Sequence, residues 1–302
     1  MQNIVLLLIC LMLGIGLRAS GRVPENAHTT LNAFIINIAF PALVLTQVHG
    51  IRAAHSLLYA VAMPWLAFAI GAGLFWTIGR ALRLPPASIG ALMLTGGLGN
   101  TSFMGLPMIE AFSGKAGIGT GILIDTLGTY LVLSTLGITI ACIYARGEAS
   151  AGTVIRRVLT FPPLIAVVVA LILNPIVYPR LAEDVLGRLG ATLAPLALVS
   201  VGMQLRSSAL RGNSGALAAG LGYKLVAAPA AIFLLYAVVL GLRGDNLRVT
   251  LLESAMGPQI GAAIVATQYG LAPELVTMMV GVGTLMAFVT LPVWWSVISA
   301  FA

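Results

Sequence analysis

The sequence predicts an all-α polytopic membrane protein of ten transmembrane helices, arranged as two inverted five-helix repeats. Three observations predict it. Of the 302 residues, 59% are apolar and only 8% are charged. A soluble domain carries roughly 25% charged residues, so there are too few charges here to cover a water-facing surface, and the same composition excludes a disordered chain. Charge-free windows long enough to cross a bilayer, about 20 residues each, recur along the whole chain. Finally, the two halves resemble each other, and each contains one span rich in helix-breaking residues.

The spans read as 3–17, 29–48, 56–79, 87–112, 117–144, 158–178, 186–205, 214–241, 247–268 and 274–300. The connections are short and hold most of the charge: Arg18 with Arg22, Arg52, Arg80 with Arg83, Lys115, Arg146 through Arg157, Arg180 with Arg188, Arg206 with Arg211, and Arg243 with Arg248. None is long enough to fold separately. The organisation is therefore a first repeat over 1–144, a short connection over 145–157 and a second repeat over 158–302. The apolar run from Ile4 to Leu17 could imitate a signal peptide, but no basic residue precedes it, so it reads as a first span. Nine basic residues fall in the odd-numbered connections and six in the even ones. By the positive-inside rule the odd connections are cytoplasmic. Both termini are then expected outside, in a plasma (inner) membrane.

The formal net charge is +7, but the 16 basic residues are scattered as ones and twos. Nucleic-acid binding needs them gathered on one face, so no nucleic-acid partner is expected. The basic excess instead suits anionic lipid head groups of the bilayer. Cys10 and Cys142 lie in apolar runs and read as packing residues.

The doubling rests on several pairs. Span two reads AFPALVLTQVHGIRAA around Pro41, and span seven LAPLALVSVGMQLRSSA around Pro195. Spans three and eight carry mid-span prolines, Pro64 and Pro229, and spans four and nine stop at Gly114 and Gly270. The repeat is about 155 residues, or five spans. An odd number of spans turns the second copy upside down, and inverted repeats of this kind mark secondary transporters, with the site near the midplane.

Span four reads LMLTGGLGNTSFMGLPMIEAF and span nine LLESAMGPQIGAAIVATQYG. Gly96, Gly97, Gly99, Gly105 and Pro107 interrupt the first, and Gly257 and Pro258 the second. Irregular backbone at membrane depth survives only where protein or a water-filled cavity satisfies it. Each break leaves one helix end with free N–H groups and another with free carbonyls, and two inverted copies would set these ends face to face. Such positive ends hold a carboxylate without a full positive charge. Asn100, Thr101, Ser102 and Gln259 add side-chain hydrogen bonds. The competing reading is proline kinks with small residues for close helix packing.

The stretches GNTSFMGLP (99–107), LNAFIINIAFPALVL (31–45), LVSVGMQL (198–205) and AMGPQIGAAIVATQYGLAPELV (255–276) resemble the auxin efflux carrier family of PIN-like permeases, over essentially the whole chain. The resemblance implies crossing broken helices four and nine, a scaffold of spans one, two, six and seven, and a mobile transport unit from the rest. It implies small organic anions as substrates. The family's crossover asparagine and proline match Asn100 and Pro107, and its second crossover proline matches Pro258. The long cytoplasmic loop of the plant carriers is missing between Ala145 and Arg157, which favours the microbial branch and malonate-like acids over auxin.

Charges at membrane depth are functional candidates by default. Glu253 lies about one turn before the second break and reads either as a coupling-proton or cation site or as an interfacial residue. Glu110 and Asp125 read as proton carriers or as caps and ion-pair partners. Lys224 can pair with Glu253 or Asp125, attract an anion, or snorkel. A coupling proton or sodium ion is compatible with this set, as is a homodimer. His28, His49 and His55 fall in or near connections and read as interfacial. Trp65, Trp76, Trp294 and Trp295 read as belt or packing aromatics, and Gly117, Gly119 and Gly121 as close helix packing. No HExxH, GxSxG or paired intramembrane aspartates are present, so no enzyme, cofactor or metal site is expected. Together these features read as a secondary active transporter of a small organic anion. An anion channel or a non-transporting sensor is the alternative.

Overall fold

The computed structural model describes residues 2–48, 55–145, 152, 156, 159–204 and 214–301, and among these the regular structure is helical. The elements are α1 (Gln2–Ala19), α2 (Ala27–Gln47), α3 (His55–Ala81), α4 (Pro86–Gly97), α5 (Leu106–Ser113) and α6 (Lys115–Ala145). After the connection come α7 (Pro162–Ile172), α8 (Arg180–Ala191), α9 (Leu193–Gln204), α10 (Ser214–Val239), α11 (Asp245–Ser254), α12 (Ile260–Gln268) and α13 (Pro273–Phe301). Arg52, His49, Arg206, Arg211 and most of the 145–157 connection lie outside the described residues.

Among the described residues, six helices are long and apolar enough to cross a bilayer, α8 and α9 counting together as one over Arg180–Met203. The four remaining expected spans are shorter: α1, whose described apolar part is Ile9–Ala19, α7, and the two interrupted windows. Span seven begins earlier than its charge-free window. Arg180, Glu183, Asp184 and Arg188 are exposed on α8, where spacings of three and four residues place them on one side of the helix. A charged helix face had read as a connection.

Pro41 and Pro229 do not break their helices, and the reason is local. A π-turn at Ile35–Ala39 precedes Pro41, and another at Tyr223–Ala227 precedes Pro229. Proline lacks an N–H and leaves the carbonyl four residues back without its helical donor. For Pro229 that carbonyl belongs to Leu225, and Trp294 Nε1–H donates to it at 2.8 Å. Trp65 Nε1–H likewise donates to the Leu127 carbonyl, at 3.3 Å, inside the π-turn Ile124–Thr129 of α6. These two tryptophans are therefore hydrogen-bond donors as well as packing aromatics. Trp76, 46% exposed with the Arg80 guanidinium over its ring, fits a membrane belt.

Glycines set the closest approaches. A Cβ on Gly14 of α1 or Gly202 of α9 would run into the other helix's backbone, so these helices pack at a separation only glycine permits. Helix α2 packs on α7 and α8, whereas α3, α4 and α6 pack with one another and α4 packs with α10, α12 and α13. Gly114 and Gly270, the expected stops, have φ of +75° and +70°, the left-handed conformation that ends helices at little cost to glycine.

Candidate functional site

Between α4 and α5 the backbone leaves the helix at Leu98, which is extended, and resumes in a π-turn at Thr101–Gly105. Between α11 and α12 it leaves at Ala255 and resumes at Ile260. The two interruptions meet. Gly99 and Pro258 form an isolated antiparallel bridge. The Asn100 N–H donates to the Gly257 carbonyl at 2.8 Å, and the Gln259 N–H to the Leu98 carbonyl at 3.1 Å. The bonds flank the Gly99–Pro258 pair, which itself exchanges none. That is the position in an antiparallel ladder where a proline costs nothing, because no N–H is required there. Both residues of the pair are 159 behind or ahead of each other (258 less 99), and the same offset relates Leu98 to Gly257 and Asn100 to Gln259.

Two helix starts therefore converge. At the first, Asn100 caps its own turn, its Oδ1 accepting from the Phe103 N–H at 3.2 Å. Asn100 is fully buried, and its Nδ2 has no hydrogen-bond partner. At the second, the first in-helix bond runs from the Ala263 N–H to the Gln259 carbonyl, which leaves the Ile260, Gly261 and Ala262 amides as the orphan donors of the first turn. Gln259 is also buried, and its Oε1 has no partner. Buried amide groups without partners are costly; the unpaired Asn100 Nδ2 is a donor and the unpaired Gln259 Oε1 an acceptor. Ile260 joins Leu11 of α1 and Val201 of α9 in a small apolar patch, with Phe103 packed against it.

Charged side chains surround the bridge. Asp125 accepts from the Thr101 hydroxyl at 2.6 Å and also interacts with the Ser102 hydroxyl. Lys224 reaches across from α10 and donates to the Ser254 carbonyl at 2.9 Å, covering a freed carbonyl at the end of α11. Glu253 is 1% exposed, and neither carboxyl oxygen has a hydrogen-bond partner. Three glycines make the room: a Cβ on Gly99 would sit 3.1 Å from Lys224 Nζ, one on Gly105 would run into the Glu253 carboxyl, and one on Gly121 would lie 3.4 Å from Glu253 Oε1.

Of the residues expected at the site, Asn100, Thr101, Pro258 and Gln259 meet at the bridge. Asp125, Lys224 and Glu253 join them, and Ser102 turns toward Asp125. Gly257 supplies a carbonyl, and a Cβ there would press on the Gly283 carbonyl of α13 at 3.2 Å. Pro107 and Glu110 lie apart. Pro107 sits in the first turn of α5, and both line a separate cavity of about 310 Å³ with Thr46, Lys115, Tyr178 and Glu183. A second cavity, of about 380 Å³, touches Ile260, Arg18, His28 and Thr267. One cavity lies at the Gln47 end of α2 and the other at the His28 end. A 21-residue helix is about 30 Å long, so the two cavities lie toward opposite ends of α2. The first touches Leu106 and Pro107, just past the Thr101–Gly105 π-turn, and the second touches Ile260 at the start of α12. The Thr101–Asp125 bond and the glycine clearances for Glu253 escape sequence reading. The repeated glycines of GNTSFMG and GIGTG were their only trace.

A family model described as membrane transport protein matches residues 1–295. An uncharacterized transporter of Methanothermobacter thermautotrophicus is 28% identical, over 97% of this chain and 96% of its own. An uncharacterized transporter of Methanocaldococcus jannaschii is 24% identical, over 97% of each chain. A probable auxin efflux carrier component of Oryza sativa is 31% identical over 122 residues, which is 40% of this chain and 33% of its own.

Proposed function

The chain belongs to the auxin efflux carrier family of membrane transport proteins, and from that premise we propose that it carries a small organic anion, a mono- or dicarboxylate, by alternating access. It is an integral, multi-pass membrane protein. The observation that carries the proposal is the pair of helix starts converging at the Gly99–Pro258 bridge, with a buried and unpartnered Asn100 Nδ2 beside them. Each helix start presents roughly half a positive charge, and the orphan amides of Ile260, Gly261 and Ala262 supply directed donors. A carboxylate is the ligand that such a set recognises.

The fold reading behind this is a pair of inverted five-helix repeats with crossing broken helices. It is supported by one helix interruption in each half and by the order of elements in the two halves. In that reading α1, α2 and α7–α9 form the scaffold, and α3–α6 with α10–α13 move against it. The two cavities at opposite ends of α2 suit alternating access, each giving one face of the bilayer a route to one helix start.

Purified protein in liposomes tests the reading. Saturable uptake of a labelled short carboxylate, accelerated by unlabelled carboxylate trapped inside, is the expected result. Ohmic, non-saturating flux would show a channel instead, and no flux of any carboxylate would contradict an anion carrier.

A further inference from the structure

Three ionisable side chains from three different helices face one another behind the bridge: Asp125 of α6, Lys224 of α10 and Glu253 of α11. All three are at most 2% exposed. Asp125 has its hydroxyl donors and Lys224 has the Ser254 carbonyl. Glu253 alone has both polar atoms buried without a partner. With one ammonium against two carboxyl groups, the cluster is neutral only when one carboxyl carries a proton. Lys224 lies near Glu253, but no hydrogen bond holds the Glu253 carboxylate, whereas two hydroxyls hold that of Asp125. An ionised carboxyl is costlier buried without hydrogen bonds than with them, so the proton belongs on Glu253.

Among the described residues, no other element packed on α11 brings a charge to this point. Arg80 of α3 covers Trp76, Glu110 of α5 lines the cavity near Lys115, and Glu274 is exposed in the first turn of α13. On α11 itself Asp245 and Arg248 pair with each other at 3.5 Å, nearer the helix start. At the 159-residue offset, the position matching Glu253 is Leu94, which is buried and apolar.

A route to water is short. A single point, the Cβ position of Gly121, is 3.1 Å from Leu106 Cδ2 and 3.4 Å from Glu253 Oε1. Leu106 lines the 310 Å³ cavity. The carboxyl and Leu106, with Ile109, thus meet beside Gly121, and Leu106 also borders the cavity.

We propose that Glu253 carries a coupling proton, taken from water through the Leu106 cavity and held while the anion is bound. This rests on the anion-carrier reading above. The step is a protonation only: the carboxylate takes a proton from water to become the acid, and gives it back to water when the carrier opens. The coupling is electrostatic. An ionised Glu253 repels a carboxylate at the bridge, and the neutral acid does not, so proton and anion favour each other's binding by the same factor.

The test uses the full chain in lipid nanodiscs and in liposomes. Infrared difference spectra across a pH step need no ligand. The wild type is expected to show the C=O band of a buried carboxylic acid, lost in E253Q and kept in D125N and E110Q. G105A, whose methyl group would run into the carboxyl without removing it, is expected to shift that band, and it stands in if E253Q does not fold. A band that survives E253Q and ignores G105A overturns the proposal. In liposomes with a pH dye inside, malonate, succinate or fumarate added outside is expected to acidify the lumen with the wild type. With E253Q that acidification is lost. Uptake by the wild type without any acidification overturns the coupling. A wild type that shows the Glu253 band but moves none of the three acids contradicts the anion reading and leaves the proton assignment standing.

Discussion

At the residue scale the site is a set of polar groups whose partners are counted out unevenly. Asn100 and Gln259 were legible because polar residues beside glycine and proline in an apolar span have few other uses. Asp125 and Lys224 were legible as charges, but their neighbours were not: the Thr101–Asp125 bond joins residues 24 apart, and Lys224 reaches a main-chain carbonyl 30 residues away. No local pattern encodes either contact. Glu110 was grouped with them because it follows Pro107 by three residues, yet it lines the other cavity. The glycine clearances make a sharp prediction. In G105A a methyl group meets the Glu253 carboxyl, so G105A is expected to lose transport while still reaching the membrane, measured by uptake normalised to expressed protein. G16A, where a Cβ meets nothing within 4 Å, is the matched control and is expected to retain uptake.

At the element scale, helix interruptions and helix continuity were both written in prolines, and only three-dimensional context separates them. Pro258 sits opposite Gly99 in a bridge, whereas Pro229 stays inside a helix because a π-turn precedes it and Trp294 serves the carbonyl it orphans. W294F is expected to cost about 0.5–1.5 kcal/mol, the net value of one hydrogen bond. In a P229A background the alanine N–H can take over the Leu225 carbonyl, so the W294F penalty should shrink. A double-mutant cycle on thermal unfolding in detergent reads this coupling, and full additivity would contradict it. The helix pair α1 and α9 gives a second prediction. G202V forces side-chain atoms into the α1 backbone around Leu11, and it is expected to cost about 1–3 kcal/mol by overpacking, seen as a lower Tm. The charged face of α8 was the clearest misreading at this scale. Charge marked it as a connection, but four charges spaced along one exposed face are what an amphipathic helix also shows.

At the scale of the whole molecule, composition alone decided membrane against water, and the recurrence of proline and glycine at matching places suggested the doubling. What composition could not supply was where the cavities lie, since they depend on helices distant in sequence. Their placement at opposite ends of α2 makes a topological prediction. Cys10 and Cys142 are buried, so single cysteines at the cavity walls report access cleanly. With the odd-numbered connections cytoplasmic, T46C is expected to react with an impermeant maleimide from outside the cell, and T267C only in inverted vesicles. Labelling of both from one side would contradict the proposed arrangement of the two cavities.

The central claim is that a carboxylate rests on the two helix starts at the Gly99–Pro258 bridge. Titration of short mono- and dicarboxylates against purified wild type, N100A and Q259A, read by thermal shift at two pH values, tests it most directly. The account predicts that at least one acid stabilises the wild type, more strongly at the lower pH. It predicts that both variants fold and lose about 1.5–3 kcal/mol of binding, the range for a hydrogen bond to a charged group. Wild-type affinity in both variants, or stabilisation by none of the acids, would contradict it.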